Sequence, residues 1–118
     1  MSNPGTEPSV FTRIINREIP SEIVFEDEEL IVIKSIDPIA PIHLLGISKK
    51  PLQSLHELLQ DETNKDLLWN LYKRLSLIAT ELKIDQTGYS LKTNIGFDGG
   101  QSVMHLHIHM LGGTKLGE

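Results

Sequence analysis

Cysteine is absent from all 118 residues, so the chain has no disulfide framework and no thiolate chemistry. Long apolar runs are missing too. No stretch approaches the ~20 residues that a membrane-spanning helix needs, and no membrane partner is expected. Positive charge is the minority sign, with 11 Lys and Arg against 16 Asp and Glu and a formal net charge of −5. A general nucleic-acid binder would carry a basic stripe, so nucleic acid is not an expected partner. A nucleotide remains compatible with this balance, because local donors outweigh net charge. The opening Met1-Ser2-Asn3-Pro4-Gly5-Thr6-Glu7-Pro8 has neither the basic start nor the apolar centre of a signal peptide, and the cytoplasm is the expected location.

What is present is ordinary for a globular domain: 39% hydrophobic and 23% charged residues, in a length that buries one core but not two. Residues 1–9 are polar and rich in Pro and Gly and read as a disordered tail, leaving 10–118 as a single domain. Phe11, Ile14 and Ile15 mark a short helix over residues 11–17, ended before Pro20. Two β-branched runs, 22–26 and 30–34, flank the acidic turn Asp27-Glu28-Glu29 and read as a hairpin. Pro38 and Pro41 force an irregular connection. Residues 42–48 then form a third strand, with His43, Leu45 and Ile47 on one face and Ile42 and Leu44 on the other.

The spacing predicts one long helix over 61–83, with an apolar stripe of Leu67, Leu71, Leu75, Ile78 and Leu82 and an N-terminal cap at Asp61 or Thr63. Trp69 and Tyr72 lie off that stripe as an aromatic pair suited to a partner surface. Residues 89–94 and 104–111 read as the fourth and fifth strands, joined by a glycine-rich loop over 96–100. Strands before and after one helix, linked by short turns, give an α+β class with an antiparallel sheet.

The chemistry concentrates at the end of the chain. His105, His107 and His109 alternate along one strand, so all three rings project from one face, with Leu106, Ile108 and Met110 on the other. Neighbouring rings then stand roughly 6.5–7 Å apart, which suits a row of groups cradling one small anion. Such a row fits a metal site or a phosphate site. A metal usually asks for a carboxylate or thiolate to complete its shell, and only Asp98 is near in sequence. Phosphate asks for backbone N–H groups and a hydroxyl, which Gly99, Gly100, Gln101 and Ser102 supply. The phosphate reading is therefore preferred, with no metal and no cofactor expected. A neutral imidazole, with a pKa of about 6.5, is a competent nucleophile toward phosphorus near pH 7. The middle ring, His107, has a neighbour on each side to hold oxygens or move protons, which makes it the expected nucleophile with His105 and His109 as supporting donors. His56 has no motif around it and reads as a surface residue.

The run His105-Leu106-His107-Ile108-His109-Met110-Leu111 resembles the signature of the histidine triad family. Asp98-Gly99-Gly100-Gln101-Ser102 and Gly112-Gly113 are similar to its Hint branch of nucleotide-binding proteins. The likeness extends through Ile14-Ile15, Glu18-Ile19-Pro20, the acidic 25–28 segment and Ala40-Pro41-x-His43, and so covers residues 10–113. It implies a five-stranded antiparallel sheet with one long and one short N-terminal helix, and a homodimer that joins two sheets into ten strands. The implied activity is hydrolysis of nucleoside 5′-phosphoramidates, typically of adenosine, through a nucleotidyl-histidine on His107. Within the family, dinucleoside polyphosphate hydrolysis is the nearest rival. Outside it stand a metal-binding module built on the three histidines and an interaction protein with weak activity.

The resemblance adds His43 to the catalytic set and Asn94 and Ile108 to the substrate contacts. Some members hold zinc through a Cys-x-x-Cys before the first helix and a His after the Lys-Lys pair. The corresponding positions here are Ser9, Thr12 and Pro51, which do not suit zinc. An Asp-Ile pair that usually receives the ribose hydroxyls is replaced by Ser35-Ile36, with the nearest carboxylate, Asp37, two positions on. The expectation is either that Asp37 swings into the ribose site through a re-routed Pro38 loop or, as the preferred alternative, that ribose is held more weakly.

Overall fold

The structure is a computed structural model that describes residues 9–117. The expected tail therefore lies outside the described residues, except Ser9. That residue caps the first helix, α1 (Val10–Ile15), by accepting a hydrogen bond from the Thr12 amide at 3.1 Å. The chain continues through β1 (Ile23–Glu26), β2 (Leu30–Lys34), β3 (Ile42–Ser48), α2 (Leu55–Leu59), a 3-10 turn over Glu62–Asn64, α3 (Lys65–Glu81), β4 (Ser90–Lys92) and β5 (His107–Gly112). The strands form one sheet in the order β1-β2-β3-β5-β4, and every neighbouring pair is antiparallel. The class and sheet match the sequence reading. α2 is an addition to it.

Local chemistry explains the joints. Asp27 Oδ1 accepts the amides of Glu29 and Leu30 at 2.8 and 2.9 Å, closing the hairpin between β1 and β2. Asp61 Oδ1 accepts the Thr63 amide at 2.9 Å and starts the 3-10 turn that leads into α3. β4 and β5 are shorter than the sequence implied. β5 begins at His107, so His105 lies just before the ladder rather than within it.

Two layers cover the sheet unequally. On one face, Leu67, Leu71, Leu75, Ile78 and Ala79 of α3 pack with Leu30, Val32, Leu44, Leu106, Ile108 and Met110. Gly46, midway along β3, admits α3 closely, since a Cβ there would stand 3.0 Å from Leu75 Cδ1. The apolar stripe ends one residue early: Ala79 is buried whereas Leu82, the C-cap, is 45% exposed. Tyr72 packs half-buried against this core, so only Trp69 of the expected aromatic pair is strongly exposed. The other face carries Ile31, Ile33, Leu45 and Ile47, covered by Phe11 and Ile14 of α1. A helix of six residues cannot roof a five-stranded sheet. The part it leaves open holds the histidines.

Candidate active site

Alternation and register place the site. β3 and β5 pair with Leu45 opposite His109 and Ile47 opposite His107, and β4 sets Lys92 opposite His109 on the other side. His43, His107 and His109 therefore share the face that α1 only partly covers, and His105 joins them from the approach to β5. The rings of His107 and His109 stand 5.1 Å apart and those of His43 and His109 5.3 Å. Phe11 packs edge-on against His107 with centroids 4.9 Å apart.

Backbone groups, whose hydrogen-bonding roles are fixed, assign the imidazole protons. His107 Nδ1 lies 2.7 Å from the carbonyl of His105, so it donates, and its Nε2 keeps a free lone pair. The amide of Ile39 donates to His43 Nδ1 at 3.2 Å, which puts the His43 proton on Nε2. That Nε2 lies 3.0 Å from His109 Nδ1 and donates to it, leaving His109 with its proton on Nε2. The site thus presents a lone pair on His107 beside an N–H on His109.

His105 is occupied differently. It is 2% exposed, its Nε2 donates to the Ser48 carbonyl at 2.7 Å, and its Nδ1 receives the Ser9 hydroxyl at 2.6 Å, with the Thr12 hydroxyl at 3.4 Å. Both nitrogens are used inside the protein, so the ring is not the phosphate donor that the sequence reading made it. It holds the carbonyl that orients His107 and anchors α1. Ser9 and Thr12, the positions compared with zinc-binding cysteines, meet at this nitrogen. Among the described residues, no three His, Cys, Asp or Glu side chains are grouped to hold a metal ion.

Burial depresses all four imidazoles below their ordinary value. In His107 the hydrogen bond to the His105 carbonyl opposes the effect, and in His105 the Ser48 carbonyl does the same. In His43 the charge of Lys92 adds to burial. His109 is lowered to about 4 by burial first, then by His107, His43 and Lys92. Every ring is neutral at pH 7.

The glycine-rich loop corrects a second expectation. The amides of Gly100 and Gln101 do not face a ligand, because they donate to the carbonyls of Phe97 and Gly96 at 3.0 Å each. The buried Gln101 side chain accepts from the Gly96 amide at 2.8 Å and donates to the carbonyls of Gln53 and Val103 at 2.6 and 2.9 Å. Asn94 Nδ2 donates to Gly99 O at 2.8 Å, so that part of its side chain also serves the loop. A Cβ at Gly99 would fall on the carbonyl of Ile95, and only glycine fits there. The exposed Ser102 has no hydrogen-bond partner among the described residues and remains open to a ligand.

Three further positions fall outside this arrangement. Ile108 is fully buried in the α3 layer, because the alternation that aligns the histidines turns its side chain to the opposite face. Ser35 Oγ accepts the Asp37 amide at 3.3 Å within an exposed turn, while Ile36 and Asp37 themselves project to solvent. His56 sits on α2, within reach of Gln60 and away from the triad. Sequence reasoning missed two residues. The Thr93 hydroxyl donates to the His107 carbonyl at 2.8 Å, and Lys92 faces His109. Both depend on the register of β4, which residue spacing alone does not set.

The chain is similar to known proteins along nearly its whole length. A family model described as scavenger mRNA decapping enzyme C-term binding matches residues 8–116. A HIT-like protein of Buchnera aphidicola is 42% identical over 108 residues, covering 92% of this chain and 95% of that protein. The structure of a HIT family hydrolase from Clostridium thermocellum is 44% identical with a TM-score of 0.88, covering 95% of this chain and 96% of that one. A histidine triad nucleotide-binding protein from Candida albicans, 28% identical, has a TM-score of 0.77 over 93% of this chain and 84% of its own. With the family model spanning nearly all of the chain and four histidines on one sheet face, the chain belongs to the histidine triad family.

Proposed function

We propose that the protein hydrolyses nucleoside 5′-phosphoramidates, those of adenosine among them, through attack by a neutral histidine. The observation that carries this reading is the pairing of proton positions: His107 Nε2 has a free lone pair, and the adjacent His109 presents an N–H. Attack by His107 Nε2 forms a P–N bond to the imidazole and breaks the P–N bond to the leaving amine. His109 Nε2–H holds a phosphoryl oxygen as charge builds there, and the Ser102 hydroxyl faces the leaving group. Water then cleaves the nucleotidyl-histidine, releasing the nucleoside monophosphate. The amine departs with a proton drawn from solvent, and the hydrolytic water returns one to solvent in the second step, so that water supplies it overall. No metal enters this scheme. The nucleotide-binding name of the Candida albicans relative supports a nucleotide ligand. The active unit in this proposal is a homodimer paired along β4.

The test is turnover of an adenosine 5′-phosphoramidate, with acid quenching and mass spectrometry to trap a nucleotidyl group on His107. His107→Ala is expected to lower kcat by about three or more orders of magnitude, as loss of a nucleophile does elsewhere. Wild-type turnover in folded His107→Ala protein would end the assignment.

A further inference from the structure

Lys92 ends β4 and stands directly across the ladder from His109. Residues opposed across an antiparallel pair share a face, with Cβ atoms about 4.5–5.5 Å apart, so the lysine rises from the histidine face beside His109. It is exposed. The ion pairs among the described residues join Arg17 and Lys49 to Glu26 and Lys34 to Glu22, and Lys92 takes part in none of them. Its cross-strand neighbour is an imidazole that it disfavours in the charged form. In a chain with 16 acidic residues against 11 basic ones, this is a cation with no ion-pair partner among the described residues, its charge felt at the neutral rings of His109 and His43.

The two flanks of β5 differ in character. Toward β3, His109 and His107 face buried Leu45 and Ile47, and Phe11 closes over His107. Toward β4 the flank is polar and open, with Lys92 followed by Thr93 and Asn94. Same-face neighbours on a strand are roughly 6.5–7 Å apart, so Lys92 sits about one side-chain row from the attacking His107. The stem of a lysine is long enough to span one such row. Pairing of β4 with a second copy would use backbone groups in the sheet plane, and side chains stand perpendicular to that plane.

Resting on the phosphoramidase reading above, we infer that Lys92 forms a subsite for a second anionic group on the ligand, a carboxylate or a phosphate carried next to the scissile phosphorus. Among the described residues this charge has no ion-pair partner, whereas an acidic leaving group would supply one.

Two substrates that differ in one charge test the carboxylate source: the adenosine 5′-phosphoramidates of glycine and of glycinamide. Wild type is expected to favour the glycine adduct in kcat/KM by about tenfold at low ionic strength, shrinking with added salt, as a solvent-accessible charge contact does. Lys92→Met, which keeps the aliphatic stem, should bring the ratio to about one, Lys92→Arg should preserve it and Lys92→Glu should invert it. Calorimetric binding of ADP and AMP tests the phosphate source, with tighter ADP binding in wild type that Lys92→Met removes. A charge preference lost in either pair supports the subsite and names its ligand. Ratios that Lys92→Met leaves unchanged in both pairs make Lys92 a solvated surface charge and overturn the inference. If wild type turns over neither adduct, the phosphoramidase reading fails instead, and the calorimetric pair still decides the role of Lys92.

Discussion

Three of the four imidazoles on the open sheet face bond a backbone group that can only donate or only accept, and the fourth inherits its proton position from a neighbour. Protonating His43 at Nδ1 would set its N–H against that of Ile39, so the tautomer is held as firmly as the loop that carries Ile39. At pH 7, nitrogen-15 spectra should show protons on Nε2 of His43, His105 and His109 and on Nδ1 of His107. A proton on His107 Nε2 would remove the nucleophile's lone pair and sink the mechanism. Because burial depresses His107, the acid limb of kcat/KM should fall below the ordinary imidazole value of about 6.5. The ribose position allows a second test at this scale. Ser35 Oγ is engaged with the Asp37 amide, and a neutral hydrogen bond contributes roughly 1 kcal/mol, so a 2′-deoxyadenosine substrate should lose less than about tenfold in kcat/KM. A loss of about a hundredfold or more that Asp37→Ala erases would show the carboxylate to be the ribose acceptor.

At the scale of elements, α1 is too short to be stable by itself. Phe11 and Ile14 hold it against the sheet, while Ser9 both caps it and donates to His105. Ser9→Ala should cost about 1–2 kcal/mol in denaturant unfolding, from the lost cap and the unpaired His105 nitrogen, and should reduce kcat through the loosened His105 carbonyl. Ser9→Thr should restore most of both, and an unchanged kcat in Ser9→Ala would separate α1 from the site. The strands that flank the site were legible because period-two alternation is a local property: His43, Leu45 and Ile47 on β3 share a face as their spacing required. The loop was not legible in the same way. Whether the Gly100 and Gln101 amides turn inward depends on backbone angles and on the Gln101 contact with the carbonyl of Gln53, 48 residues away. His105 misled for a related reason, since the alternation gives its direction but not the Ser9 and Ser48 groups waiting there. α2, with five residues, is shorter than a periodic pattern can declare.

Across the whole molecule, the sheet ends in β1 and β4, and only β1 carries a register shift, between Ile23 and Phe25, of the kind that blunts an edge. β4 is therefore the edge open to a second copy. Sedimentation at micromolar concentration should give a dimer mass, and a monomer there would exclude the pairing. Folding and protonation are coupled on the same scale. All four imidazoles of the site titrate below their ordinary value when folded, His109 at about 4. In the unfolded chain they return to about 6.5 and take up protons that the folded state refuses. Their contribution is complete above that value and is lost as pH falls through it toward the folded values. The melting temperature, read at one protein concentration because a dimer's stability varies with it, should therefore decline from pH 7 to pH 5, about where ordinary carboxylates are still largely ionised. His105→Gln, which can keep a donor and an acceptor in that pocket without titrating, should make the decline shallower. A melting temperature that stays level across this window would mean that the buried rings accept protons at no cost to the fold.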